Sequence, residues 1–246
     1  MQNQFSRSQL LFGQEAINTL AQCRVAIFGV GGVGGYATEV LARSGVGAID
    51  LFDNDQVCIT NLNRQIIATH STIGRHKVDV AKARILDINP HCVVQAHKMF
   101  YLVSNAHEID LSLYDYVIDC IDTVSAKMEL VRQCHTLRVP LIVSMGAANK
   151  LNPASFKVSD ISKTINDPLA KIMRKKLRRE GIKHFKCVFS DELPATPQGN
   201  TAGQEAEDNS KRPIPASNAF VPAAEGIIVG GEAVKDLIAH SGKIPT

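Results

Sequence analysis

Six consecutive residues, Gly29-Val-Gly-Gly-Val-Gly34, hold four glycines. They stand between the apolar run Arg24-Val-Ala-Ile-Phe28 and a stretch, Tyr36 to Ser44, that reads as a helix closed by Gly45 and Gly47. A buried strand, a glycine turn and a helix in that order bring backbone amides close to whatever sits at the helix N-terminus. The next apolar run, Ala48-Ile-Asp-Leu-Phe52, leads into Asp53, 19 positions after Gly34. In this arrangement Gly29, Gly31, Gly32 and Gly34 form a phosphate turn and Asp53 bonds a ribose. A purely structural tight turn is the other reading, and four glycines in six residues are hard to account for that way.

The rest of the chain extends the pattern. His76 to Ile88 reads as a helix that stops at Asn89-Pro90, because a residue before proline avoids the helical region. Cys92 to Ala96, Tyr116 to Cys120 and Leu141 to Met145 read as strands, and Ala126 to Leu137 as a helix. Strands alternating with helices predict an α/β fold: a Rossmann-like, doubly wound, mostly parallel sheet. After Gly146 the pattern changes to a strand at 156–159, a basic helix from Pro168 to Glu180, a strand at 185–189 and a final helix from Val221 to Ala239. This C-terminal part is expected to add antiparallel strands. We expect one domain over 1–246, with a nucleotide-binding half at 20–145, a substrate half at 146–246 and a mobile loop at 191–212.

Composition narrows the function classes. With 45% hydrophobic and 21% charged residues the chain resembles an ordinary soluble protein. The most apolar late stretch is interrupted by Glu225, Glu232, Lys235 and Asp236, so no membrane span is expected. Six cysteines include no CxxC pair, which argues against a tetrathiolate zinc site and suits reduced thiols in a cytoplasm. A net charge of +3 permits a nucleic-acid partner without requiring one.

Three residues argue against simple dinucleotide binding. Arg64 follows the second strand closely, Lys77 opens the next helix, and Asp122 stands just past the fourth strand. Attack on an α-phosphate expels pyrophosphate, and fixed cations with a carboxylate-held metal suit that charge. Two readings stay open here. Arg64 and Lys77 also fit solvated surface cations, Asp122 also fits a helix cap, and Asn61 and Asn63 also fit turn formers.

The glycine turn, Asp53-x-Asp55, Asn61-x-x-Arg-Gln65, Lys77 and Asp122 resemble the ubiquitin-activating-enzyme-like adenylyltransferases, which include the ThiF and MoeB proteins. Phe5-Ser-Arg7, ahead of Leu11-Phe-Gly-Gln-Glu15, is similar to that family's N-terminal arginine segment. The resemblance implies ATP and Mg²⁺ as cofactors. Asp55, Asn61 and Gln65 would join the nucleotide site and Asp122 the metal. Arg64 and Lys77 would act on the phosphates. It also implies a homodimer in which Arg7 completes the partner's site. Val57 to Ile66, Lys163 to Ala170, Cys187-Val-Phe-Ser190 and Phe220-Val-Pro222 are similar to the tRNA threonylcarbamoyladenosine dehydratases. Those proteins activate the substrate's own carboxylate with ATP, and the activated group closes into a ring. A sulfur- or electron-handling protein is a further partner class. Two departures matter: the paired CxxC zinc site of carrier-protein activators is missing, and Ala216 stands where some dehydratases have a cysteine. Cys187 has two readings, a functional thiol and a core thiol. Adenylylation of a carrier protein's C-terminal carboxylate is the alternative function.

Lys171, Arg174, Lys175 and Arg178 recur at helical spacing and fall on one face. Such a stripe suits a phosphate backbone or a solvated helix, and the resemblance turns it toward tRNA.

Overall fold

The computed structural model describes residues 3–198 and 215–240. The expected loop at 191–212 therefore lies outside the described residues from 199 onward. Seven strands form one sheet: β1 Arg24–Phe28, β2 Ala48–Phe52, β3 Val93–His97, β4 Tyr116–Asp119, β5 Leu141–Ser144, β6 Phe156–Asp160 and β7 Lys186–Ser190. Their order is β3-β2-β1-β4-β5-β7-β6. Among these strands of the described residues only the β6–β7 pair is antiparallel, with Val158 opposite Val188. The sheet is thus mostly parallel with an antiparallel edge, as the sequence suggests. Apart from the paired Arg24 and Asp50, β1 and β2 are apolar, and they are almost wholly buried because helices cover both faces of a parallel sheet.

One face carries α2 Gln14–Gln22, α3 Gly34–Ser44, α4 Lys77–Ile88 and α7 Val221–His240, which share a core with β1 and β2. The other carries α5 Val124–Leu137 and α6 Pro168–Arg179. α3 starts at Gly34 rather than Tyr36 and ends on Gly45, whose φ of 90° suits a glycine cap. α7 lies so close to α3 that a Cβ at Gly226 would stand 2.2 Å from the Val33 carbonyl oxygen, and one at Gly230 would stand 2.8 Å from Val40 Cβ. Near the N-terminus α1 Ser6–Phe12 precedes α2; neither is signalled by the sequence pattern. Among the described residues no helix is long and apolar enough to cross a membrane.

This topology gathers the chemistry. β1 has β2 on one side and β4 on the other, so the chain leaves β1 toward one flank of the sheet and later returns to fill the other. Loops at the carboxyl ends of strands beside such a reversal part and leave a crevice.

Candidate active site

A cleft of about 750 Å³ opens along those carboxyl ends. That is within the size range of small-molecule sites. Of the catalytic and cofactor residues singled out above, all but Gly34 and Arg7 line it. Arg7 is exposed on α1, outside the lining of its own chain's cleft.

The four glycines do different jobs. Gly29 has φ 87°, and a Cβ there would stand 2.6 Å from the Cys120 carbonyl oxygen, so it lets the turn cross β4. At Gly31 the nearest neighbour of an added Cβ is Gln65 Nε2 at 3.8 Å, which leaves open cleft over the backbone. Gly32 faces Pro222. Gly34 shows why a glycine is needed where the helix begins. It is buried outside the lining, and a Cβ would stand 1.8 Å from the Gly29 carbonyl oxygen, so close packing of helix on turn accounts for it.

The polar residues brace one another. Asp53 Oδ2 accepts from the Val30 amide at 2.7 Å, and Oδ1 from the Asp55 amide at 2.8 Å. The acid expected at the ribose therefore also ties β2 to the glycine turn. Burial raises its carboxyl pKa, against the pull of Lys77. Lys77, buried at the start of α4, places Nζ 2.5 Å from Asp55 Oδ2 and 4.0 Å from Asp53 Oδ1. It is held by carboxylates rather than free in solvent. Arg64 Nη1 donates to the Thr60 carbonyl and to Asn63 Oδ1, both at 2.9 Å, which sets the guanidinium on the cleft wall. Asn61 Oδ1 accepts from the Cys58 amide at 3.1 Å and shapes that loop. Gln65 Oε1 is buried without a partner among the described residues. Asp122 is exposed and accepts from Thr123 Oγ1 at 3.3 Å.

Beneath Asp122 lies a fully buried ion pair. Lys127 Nζ donates to Asp119 Oδ1 and to the Ile121 carbonyl, each at 3.0 Å, while the Ile121 amide donates to the same Asp119 oxygen at 3.0 Å. Both polar atoms of the Ile121 backbone are thereby clamped. Burial pushes the Asp119 carboxyl up and Lys127 pulls it down. Among the described residues no three His, Cys, Asp or Glu side chains cluster for a metal. A single carboxylate such as Asp122 fits Mg²⁺, which keeps waters and takes its other ligands from phosphates.

A sequence profile described as the ThiF family matches residues 5–240. The chain belongs to the ThiF family. A tRNA threonylcarbamoyladenosine dehydratase of Bacillus subtilis is 49% identical, over 97% of this chain and 96% of that protein. The crystal structure of Escherichia coli tRNA N6-threonylcarbamoyladenosine dehydratase, TcdA, in complex with AMP matches with a TM-score of 0.87 at 34% identity, covering 97% of this chain and 95% of that one. The same enzyme in complex with ATP matches with a TM-score of 0.85 at 33% identity over the same shares.

The surroundings of Arg174 and Cys187 bear on their readings in this ThiF-family chain. Arg174 leaves the cationic stripe: Nη1 donates to the Thr164 carbonyl at 2.9 Å, to Thr164 Oγ1 and to the Ile161 carbonyl, capping the turn before α6. Lys171, Lys175 and Arg178 stay exposed beside it. Cys187 is buried in β7, and burial pushes its thiol up to about 12, which fits a core thiol. Sequence reasoning missed Ser144, Gly146, Ala147, Pro215 and Ser217, all in the lining. For the first three, the exit of β5 was the available signal; Pro215 and Ser217 have no local one.

Glu225, also missed, lies wholly buried on α7 and accepts from Ser144 Oγ at 3.0 Å. Burial raises its carboxyl pKa to about 8, opposed by Lys127 and Lys150. The unfolded chain releases that proton near pH 4.3. Stability is therefore full below about pH 4 and declines as pH rises toward 8. Glu225→Gln keeps the contact without the charge. Its stability advantage over the native chain should grow by about 1 kcal/mol per pH unit between roughly pH 5 and 8. Denaturation curves across that range giving a constant difference would refute the assignment.

Proposed function

We propose that this chain uses ATP to activate the carboxylate of N6-threonylcarbamoyladenosine in tRNA, so that the substituent closes into a ring with loss of water. The observation that carries this reading is one cleft holding the glycine turn, Asp53, Arg64, Lys77 and Asp122. The named relatives, aligned along nearly the whole chain, supply the substrate class.

In the first step a substrate carboxylate oxygen bonds to the α-phosphorus and the bond to pyrophosphate breaks. Arg64 and Lys77 offset charge on the departing pyrophosphate, and Asp53 holds the ribose. Mg²⁺ held at Asp122 would supply further charge neutralisation. In the second step the substrate's own urea group attacks the acyl carbon, AMP departs, and the urea proton goes to solvent. Because closure is intramolecular, the enzyme's task there is positioning. Arg7 acts across a homodimer at the partner's cleft. Lys171, Lys175 and Arg178 take the tRNA backbone. Incubation with ATP, Mg²⁺ and tRNA bearing this nucleoside is expected to give a nucleoside lighter by one water in mass spectrometry. An unchanged nucleoside beside consumed ATP would sink the substrate assignment.

A further inference from the structure

The cleft has two flanks. The β1–β3 side offers Phe28, Phe52, Asp53 and Tyr101; the β5 side offers Gly146, Ala147, Leu169, Pro215 and Ser217. Asp122 at the end of β4 stands between them, because β4 separates β1 from β5 in the sheet. The glycine turn and Asp53 belong to the first flank, which leaves the second for the group that meets the α-phosphate.

That second flank is uncharged, with a run of small residues beside the larger Met145 and Leu169. Gly146, Ala147 and Ala148 follow β5 in the lining, and a Cβ added at Gly146 would meet only Asp167 Oδ2, at 3.7 Å. The Ser144 hydroxyl turns toward Glu225, and the Gly146 amide donates to Asp167 Oδ2 at 3.3 Å. The outer wall, residues 215–218, has no regular structure and is fastened by side chains. Asn149 Oδ1 accepts from the Ala216 amide at 2.8 Å, and the Asn149 amide donates to the Ala216 carbonyl at 2.9 Å. The Asn149 carbonyl accepts from the Ala195 amide at 2.7 Å. Asn63 Nδ2, one position before Arg64, donates to the Ser217 carbonyl at 3.3 Å. Asn149 makes these bonds with φ at 59°, a left-handed conformation that asparagine tolerates better than most residues. The wall therefore bridges the exit of β5 and the loop that carries Arg64.

We propose that the β5 flank is the acceptor subsite, that it takes the small uncharged side chain of an amino-acid substituent on the adenosine, and that Asn149 is the positioning residue for its wall. This rests on the function proposed above. A floor of glycine and alanine lets such a substituent lie against the backbone, while its carboxylate points back toward Asp122 and the phosphates.

The test compares Asn149→Gly with Asn149→Asp. Glycine accepts the same φ but loses the oxygen that holds the Ala216 amide. Aspartate retains an oxygen there. Steady-state kinetics with modified tRNA should show KM raised about tenfold in Asn149→Gly with kcat nearly unchanged. ATP affinity, read by titration calorimetry, should stay at the native value, and Asn149→Asp should restore KM. Ala147→Val, which enlarges a side chain of the cleft lining, should raise the same KM. Native KM values in both Asn149→Gly and Ala147→Val, or an ATP affinity weakened in step with KM, would overturn the subsite. A native enzyme that turns over no modified tRNA would instead overturn the function reading, and the occupant of this flank with it.

Discussion

Asp122→Ala is expected to cut ATP–pyrophosphate exchange by about 10³-fold and leave thermal unfolding unchanged. The side chain is exposed, and its recorded partner is a hydroxyl at 3.3 Å, so little of the fold depends on it. Its position is another matter. It lies just past the end of β4, across from the glycine turn and on the same cleft as Arg64 and Lys77. A carboxylate there suits a divalent ion that shares phosphate oxygens, and among the described residues no group of three His, Cys, Asp or Glu side chains forms a ready metal cage in its place. Exchange assays with saturating modified tRNA measure the activation step alone, apart from ring closure. Near-native exchange in this variant would remove Asp122 from the mechanism.

Lys127→Met should destabilise the chain by about 3–5 kcal/mol, because it leaves Asp119 buried and uncompensated. Both side chains are fully shielded from solvent. Their pairing also holds the two polar backbone atoms of Ile121, and so the turn that presents Asp122. Replacing both partners, Asp119→Leu with Lys127→Met, should recover most of the stability, since apolar packing removes the desolvation cost of each charge. Urea denaturation of the single and double variants checks this. Equal losses in both would mean that packing, and not the pair, matters here.

The parallel strands were legible because burial on both faces leaves continuous apolar runs, as in Arg24-Val-Ala-Ile-Phe28. The glycine turn and the acids after β2 and β4 were legible because each sits where a strand ends, the edge at which open sheets bind ligands. α1 was not, since it buries none of its residues and carries no apolar stripe. α2 buries only Ala16 and Leu20 and stands ahead of the first strand, where no alternation with strands announces it. Arg174 shows the limit of spacing arguments. Helical periodicity put it on the same face as Lys171 and Lys175, but its guanidinium is captured by Thr164, ten positions earlier. The acceptor wall fails for a similar reason. Ala216 and Asn149 are far apart in sequence, and nothing local in either marks their bond.

The packing of α7 on α3 has a consequence for biosynthesis. The Val33 carbonyl, at the back of the glycine turn, is covered by Gly226, so an early loop is finished by residues translated much later. A nascent chain that has emerged only through β5 holds every strand beside the turn, yet leaves the apolar side of α3 bare. Such an intermediate would invite chaperones on the ribosome, and nucleotide would be gripped only after the last helix docks.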